Sequence, residues 1–238
     1  MRAARQREPA PKTILSAPPP STIAPMPLKL TVFYGSVRSA RQGIKAARFI
    51  VNQCRERGHD TSFIDAAEYP LPLLDKMYKE YEPGKAPEPL QTVANMVVPA
   101  DAHIVVSGEY NHTIPPALSN LLDHFLDEVF WKPSAIVSYS VGSYGGVRAA
   151  IALRPMLAEM GMSSIPSTFP IPMVQSAFED DGTPRDNAWR RRADKFLTEL
   201  EWYAEALRAA RIRDGKETCP PRSQCDQLQQ PAQPDAAP

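Results

Sequence analysis

Leu30-Thr-Val-Phe-Tyr-Gly-Ser-Val-Arg-Ser-Ala-Arg-Gln-Gly-Ile44 is an apolar run, a glycine, a polar loop and the opening of a helix. Residues 30–34 are rich in β-branched and aromatic side chains and read as a buried strand. Gly35 breaks the run, and a helical pattern takes over from about Arg41 to Arg57. Strand, glycine, polar loop, helix is the layout of an anion site. The first N–H groups of a helix lack partners, and its dipole favours negative charge there. Ser36 adds a hydroxyl donor, while Arg38 and Arg41 add charge and planar forks suited to phosphate. The second and third glycines of the dinucleotide fingerprint are absent, and no Gly-Lys-Ser/Thr follows as in a P-loop. On this stretch alone, a plain turn with solvated arginines competes equally.

Composition narrows the choice. A chain of 238 residues with 43% hydrophobic side chains fits one α/β domain with tails. Lys+Arg and Asp+Glu both number 27, which argues against a nucleic-acid binder and against a strongly acidic electron carrier. No apolar run is long enough to span a membrane. Cys54, Cys219 and Cys225 show neither zinc spacing nor a disulfide framework, so a reducing, cytoplasmic setting is expected. Residues 1–27 are proline-rich and aperiodic, and residues 213–238 are polar. Both are expected to be disordered around a folded domain at 28–212.

Within that domain the pattern alternates. Strands are expected at Leu30–Tyr34, Thr61–Ile64, Ala102–Ser107, Ala135–Tyr139 and Ser163–Phe169. Helices are expected at Gly43–Glu56, Glu88–Val98, Ala117–Phe130, Val147–Met160 and Arg185–Arg211. A proline-rich segment lies between the second strand and second helix, with Tyr69, Leu71, Leu73, Leu74 and Met77 apolar enough to pack. Such alternation predicts a parallel sheet covered by helices on both faces. Five strands favour the order 2-1-3-4-5, with the ligand where the order reverses beside the first strand. The loops after strands one, three and four should then carry the chemistry. They read Ser36–Arg41, Gly108–His112 and Ser140–Gly146, whereas the loop after strand two is not loaded in this way.

Gly35-Ser36-Val37-Arg38 with Arg41-Gln42-Gly43, Glu109-Tyr110-Asn111 with Pro116 to Asp123, and Gly142-Ser143-Tyr144-Gly145-Gly146 together resemble the NADPH-dependent FMN reductase family, the flavodoxin-like quinone and azo reductases. The similarity covers roughly residues 28–175. The family usually carries proline before Glu-Tyr-Asn, and this chain has Gly108. The resemblance implies a flavodoxin-like three-layer fold with FMN and NADPH or NADH as cofactors. Electrons would pass to a small-molecule acceptor: a quinone, an azo or nitro compound, or free flavin. No protein acid or base is required, because the nicotinamide C4 and flavin N5 carry the hydride. By motif position the FMN phosphate falls to Ser36, Arg38, Arg41, Gly43 and Ile44. The isoalloxazine ring falls to Gly108, Glu109, Tyr110 and Asn111, through their N–H groups, and to Gly142, Ser143, Tyr144 and Gly145. A flavin-binding regulator, or an electron carrier without NAD(P)H turnover, is the alternative.

The expected helix at 117–130 carries Leu118, Leu121, Leu122, Phe125, Leu126, Val129 and Phe130, more apolar positions than one face against a sheet needs. Family members use this region to dimerise. A homodimer, or a tetramer built from it, is therefore expected. The competing reading is that the surplus packs under the segment 66–89. Nucleic-acid and membrane partners are not expected.

Overall fold

The structure, a computed structural model, describes residues 26–216. The tails read as disordered therefore lie largely outside the described residues. The elements are β1 (Lys29–Tyr34), α1 (Gly43–Glu56), β2 (Asp60–Asp65), α2 (Glu88–Val97), β3 (Ala102–Gly108), α3 (Pro116–Asp123), β4 (Pro133–Tyr139), α4 (Val147–Glu159), β5 (Ser163–Ile171), the one-turn α5 (Val174–Ala177) and α6 (Ala188–Arg213). All five strands are parallel, in the order β2-β1-β3-β4-β5. The expected topology is the observed one.

The apolar runs follow from burial on two faces. Along β1, Leu30, Val32 and Tyr34 pack with α1 and α6, while Phe33 packs with α2, α3 and α4. Every residue of β3 and β4 is buried. Among the described residues, no helix is long and apolar enough to cross a membrane.

The helix expected at Ala117–Phe130 is shorter than its sequence suggests. α3 ends at Asp123, and a 3-10 turn at Asp127–Val129 follows. The Tyr78 N–H donates to the His124 carbonyl at 2.8 Å, taking the acceptor that an α-helix would offer to Glu128. The proline-rich segment containing Tyr78 is strapped to α3. The Asn120 side chain donates to the Pro72 carbonyl at 2.9 Å and accepts the Leu74 N–H at 3.0 Å. Tyr69, Leu71, Tyr78 and Tyr81 pack against the cluster holding Leu121, Leu122 and Phe125. The apolar surplus is thus covered within the chain, and it leaves no stripe for a partner on this helix.

α6 is fastened at its middle. The Arg57 guanidinium donates to both Glu201 carboxylate oxygens at 2.5 and 2.6 Å, to Asp194 at 2.5 Å and to Thr198 at 2.8 Å. The Leu28 N–H donates to His59 Nδ1, so the neutral ring keeps its proton on Nε2 and gives it to Glu201 at 2.7 Å. Burial would raise the Glu201 pKa, but the hydrogen bonds from Arg57 and His59 outweigh it and bring the group down to about 2. A depressed folded pKa contributes stability above the unfolded value, lost as pH falls through the folded one. Glu201→Gln should cost about 1–3 kcal/mol at neutral pH. Denaturant titrations of both proteins should show that gap closing between the ordinary carboxylate range and pH about 2. A gap that does not change with pH refutes the ionic account.

Candidate active site

The carboxyl ends of β1, β3 and β4 open onto one cavity of about 300 Å3. Ser36, Arg38, Arg41 and Gly43 line it from the first loop, and Gly108, Glu109 and Tyr110 from the second. The sequence expectation therefore brought seven residues from two distant loops to one place. Six other expected residues lie off the lining. Ile44 packs against the core, and Gly145 is buried. Asn111, Gly142, Ser143 and Tyr144 are exposed, Tyr144 by 67%.

The first loop is built to receive an anion. Among the described residues, the backbone N–H groups of Val37 to Ala40 and of Gln42 donate to no carbonyl or side chain, while a turn at Ser39 and Ala40 carries the Arg41 N–H back toward the Arg38 carbonyl. The N-cap residue of α1, Gln42, makes no side-chain capping bond either. Arg38, Ala40 and Gln42 carry such donors on the cavity lining, with the helix dipole behind them. Arg38 makes no ion pair among the described residues. Arg41 differs: its Nη1 donates to Asp65 at 2.5 Å and to the Ser36 carbonyl at 2.9 Å. Asp65 is fully buried at the end of β2. The loop after strand two, read as unloaded, thus begins with a carboxylate that reaches the site. Its place beside Tyr34 in the β1–β2 register was the available signal.

Tyr139 was read only as a strand residue, yet it forms part of the floor. A Cβ on Gly43 would lie 2.0 Å from its ring, so only glycine lets α1 start this close to β4. Tyr34 stands beside it, ring centroids 6.2 Å apart. Burial raises both phenol pKa values, Tyr139's well above the ordinary range, so both keep their protons.

The second loop is tight. Tyr110 and Thr113 exchange backbone hydrogen bonds at 3.1 and 2.9 Å, and Asn111 and His112 between them take φ of 49° and 65°. That turn engages the Tyr110 N–H, so the expectation that it lies along a flavin edge does not match the geometry. Glu109 is held by α4. It accepts the Arg148 N–H at 3.0 Å and the Arg148 guanidinium at 3.1 Å. The same guanidinium stacks over Tyr144 at 5.0 Å. Arg148 escaped the sequence reading because it follows the third motif rather than lying in it. Ala40, Gln42, Ser140, Val141 and Val174 complete the lining.

Comparison with known proteins agrees with this geometry. The family model for NADPH-dependent FMN reductase matches residues 28–176. An NAD(P)H-dependent FMN reductase of Schizosaccharomyces pombe is 30% identical over 148 residues, spanning 58% of this chain and 70% of its own. A quinone reductase of Pseudomonas putida is 27% identical over 164 residues, 66% of this chain and 84% of its own. Among solved structures, the flavoenzyme NAD(P)H:(acceptor) oxidoreductase FerB of Paracoccus denitrificans has the same fold, with a TM-score of 0.62 at 20% identity over 76% of this chain and 98% of that one. With the matched region holding all three loops and all five strands, the chain belongs to the NADPH-dependent FMN reductase family.

Proposed function

We propose that this protein is an FMN-dependent oxidoreductase that passes electrons from NADPH or NADH to a small-molecule acceptor: a quinone, an azo or nitro compound, or free flavin. The observation that carries this reading is the set of unengaged N–H groups on Arg38, Ala40 and Gln42, residues that line the cavity shared with Gly108–Tyr110. Those donors, with Ser36 and Arg38, fit a phosphate. Gly108, Ser140 and Val141 line the same cavity, and their small or apolar surfaces fit a flat ring. Bound FMN would supply the relay between the nicotinamide and the acceptor.

The chain's own part is to bind, orient and shield. Arg38 would meet the phosphate charge, and the Arg148 clamp on Glu109 fixes the second loop against α4. Tyr144, exposed and stacked on the Arg148 that holds Glu109, would cover whatever enters. We place the enzyme in the cytoplasm, where NAD(P)H is available and the buried Cys54 thiol stays reduced. We further propose a homodimer. Its support is the exposed apolar pair Val147 and Ile151, one turn apart on α4 and next to Tyr144, with exposures of 37% and 69%.

Three measurements check these statements. The purified protein should show a flavin spectrum that NADPH or NADH bleaches within seconds under anaerobic conditions. Flavin that stays oxidised would favour a carrier or a regulator. Arg38→Gln should weaken FMN binding by about 1.5–3 kcal/mol, as expected for a hydrogen bond to a charged group. FMN retained through dialysis as well as by wild type counts against that role. Light scattering at micromolar concentration should give twice the 26.3 kDa chain mass, and Ile151→Glu should shift it toward the monomer. A monomeric wild type removes the dimer.

A further inference from the structure

We infer that Asp65 is a positioning residue for the cofactor phosphate: acting through Arg41, it sets the loop from Ser36 to Gln42 without touching the cofactor itself. The inference rests on the FMN reading above.

Asp65 ends β2 directly beside Tyr34, the last residue of β1. Its Oδ1 accepts from Arg41 Nη1 at 2.5 Å and from the Ala67 N–H at 3.0 Å. The same Arg41 nitrogen donates to the Ser36 carbonyl at 2.9 Å. The guanidinium also lies 5.4 Å over the Tyr34 ring. Carboxylate, carbonyl and ring together fix the Arg41 fork, and among the described residues its Nε and Nη2 make no hydrogen bond, in a residue that lines the cavity. The fork in turn fixes the Ser36 peptide, from which the unengaged N–H groups run. Other ties on this loop are loose: Ser36 Oγ lies 3.4 Å from the Tyr110 hydroxyl. Asp65 Oδ2 is buried without a hydrogen-bond partner. A buried carboxylate with one idle oxygen is costly to keep for a turn that an asparagine could make equally well. Its charge matters to Arg41.

Charge and position predict opposite signs. By charge alone, removing a carboxylate beside an anion site tightens phosphate binding. By position, removal frees Arg41 and the Ser36 peptide, and the phosphate must then order the loop at an entropic cost. We assign the larger effect to position, because one arginine nitrogen links strand end and loop.

Asp65→Asn keeps an oxygen for the Ala67 N–H and removes the charge. The test uses full-length protein, its flavin removed and added back, with FMN and riboflavin as probes. Position predicts that the Kd for FMN rises about tenfold or more, the loss of one charged hydrogen bond, while the Kd for riboflavin stays within about twofold. Asp65→Asn combined with Arg41→Gln should be no weaker than the weaker single variant. Unchanged or tighter FMN binding overturns the inference, and so does an equal loss of both flavins, which would mark Asp65 as merely structural. If Asp65→Asn does not fold, Arg41→Gln carries the test with the same expectation and the same refutation. A wild type that binds neither flavin overturns the FMN reading beneath, whereas one that binds FMN and ignores Asp65→Asn overturns this inference alone.

Discussion

β1 hydrogen-bonds to β2 on one side and to β3 on the other. The helix leaving β1 packs on one face of the sheet, and α3, which leaves β3, packs on the opposite face. Two neighbouring strands whose outgoing connections diverge in this way leave a crevice at their carboxyl ends. The cavity shared by the loops after β1 and β3 opens there. The loop after β1 supplies donors because a helix must begin there, and the loop after β3 faces it because β3 is the next strand over.

Charge within the crevice is largely self-cancelled. Arg41 is matched by Asp65, and Glu109 by Arg148. Such pairs hold geometry more than they contribute net attraction. What remains for an incoming anion is Arg38 and a set of peptide dipoles, a site whose strength comes from direction rather than from surplus charge. This agrees with a chain whose Lys+Arg and Asp+Glu are both 27. Attraction over long range is weak, and recognition is left to contact.

The sheet was legible in the sequence because strands buried on both faces must be apolar throughout, and because glycines and prolines mark their ends. The two loops that meet in the cavity were legible for the same reason, since strand order alone brings them together. The end of α3 was not legible. Its apolar residues continue past Asp123, and the helix stops because a backbone N–H 46 residues earlier takes the His124 carbonyl. No local pattern reports such a contact. Asp65 and Tyr139 were missed in a related way. Each reads as the last residue of a strand, and its role appears only when the neighbouring strand puts Arg41 or Gly43 against it. Arg192 stacks on Phe169 and Trp189 at 4.8 and 4.6 Å, a packing role set by β5 rather than by any pattern local to α6.

The pairing of Leu30 with Ala102 spans 72 residues of chain. Pairings of Lys29 with Asp60 and of His103 with Ser134 each span 31. Closing the longer loop costs more chain entropy, and long-range parallel pairing forms slowly. The crevice lies across that most distant seam. During folding, β1, α1 and β2 can come together first and present the anion loop with its opposing wall still missing. The cavity is then completed in the same event that joins the two halves of the sheet. Occupancy of the site would register that the seam has closed, and a bound flavin would hold it shut.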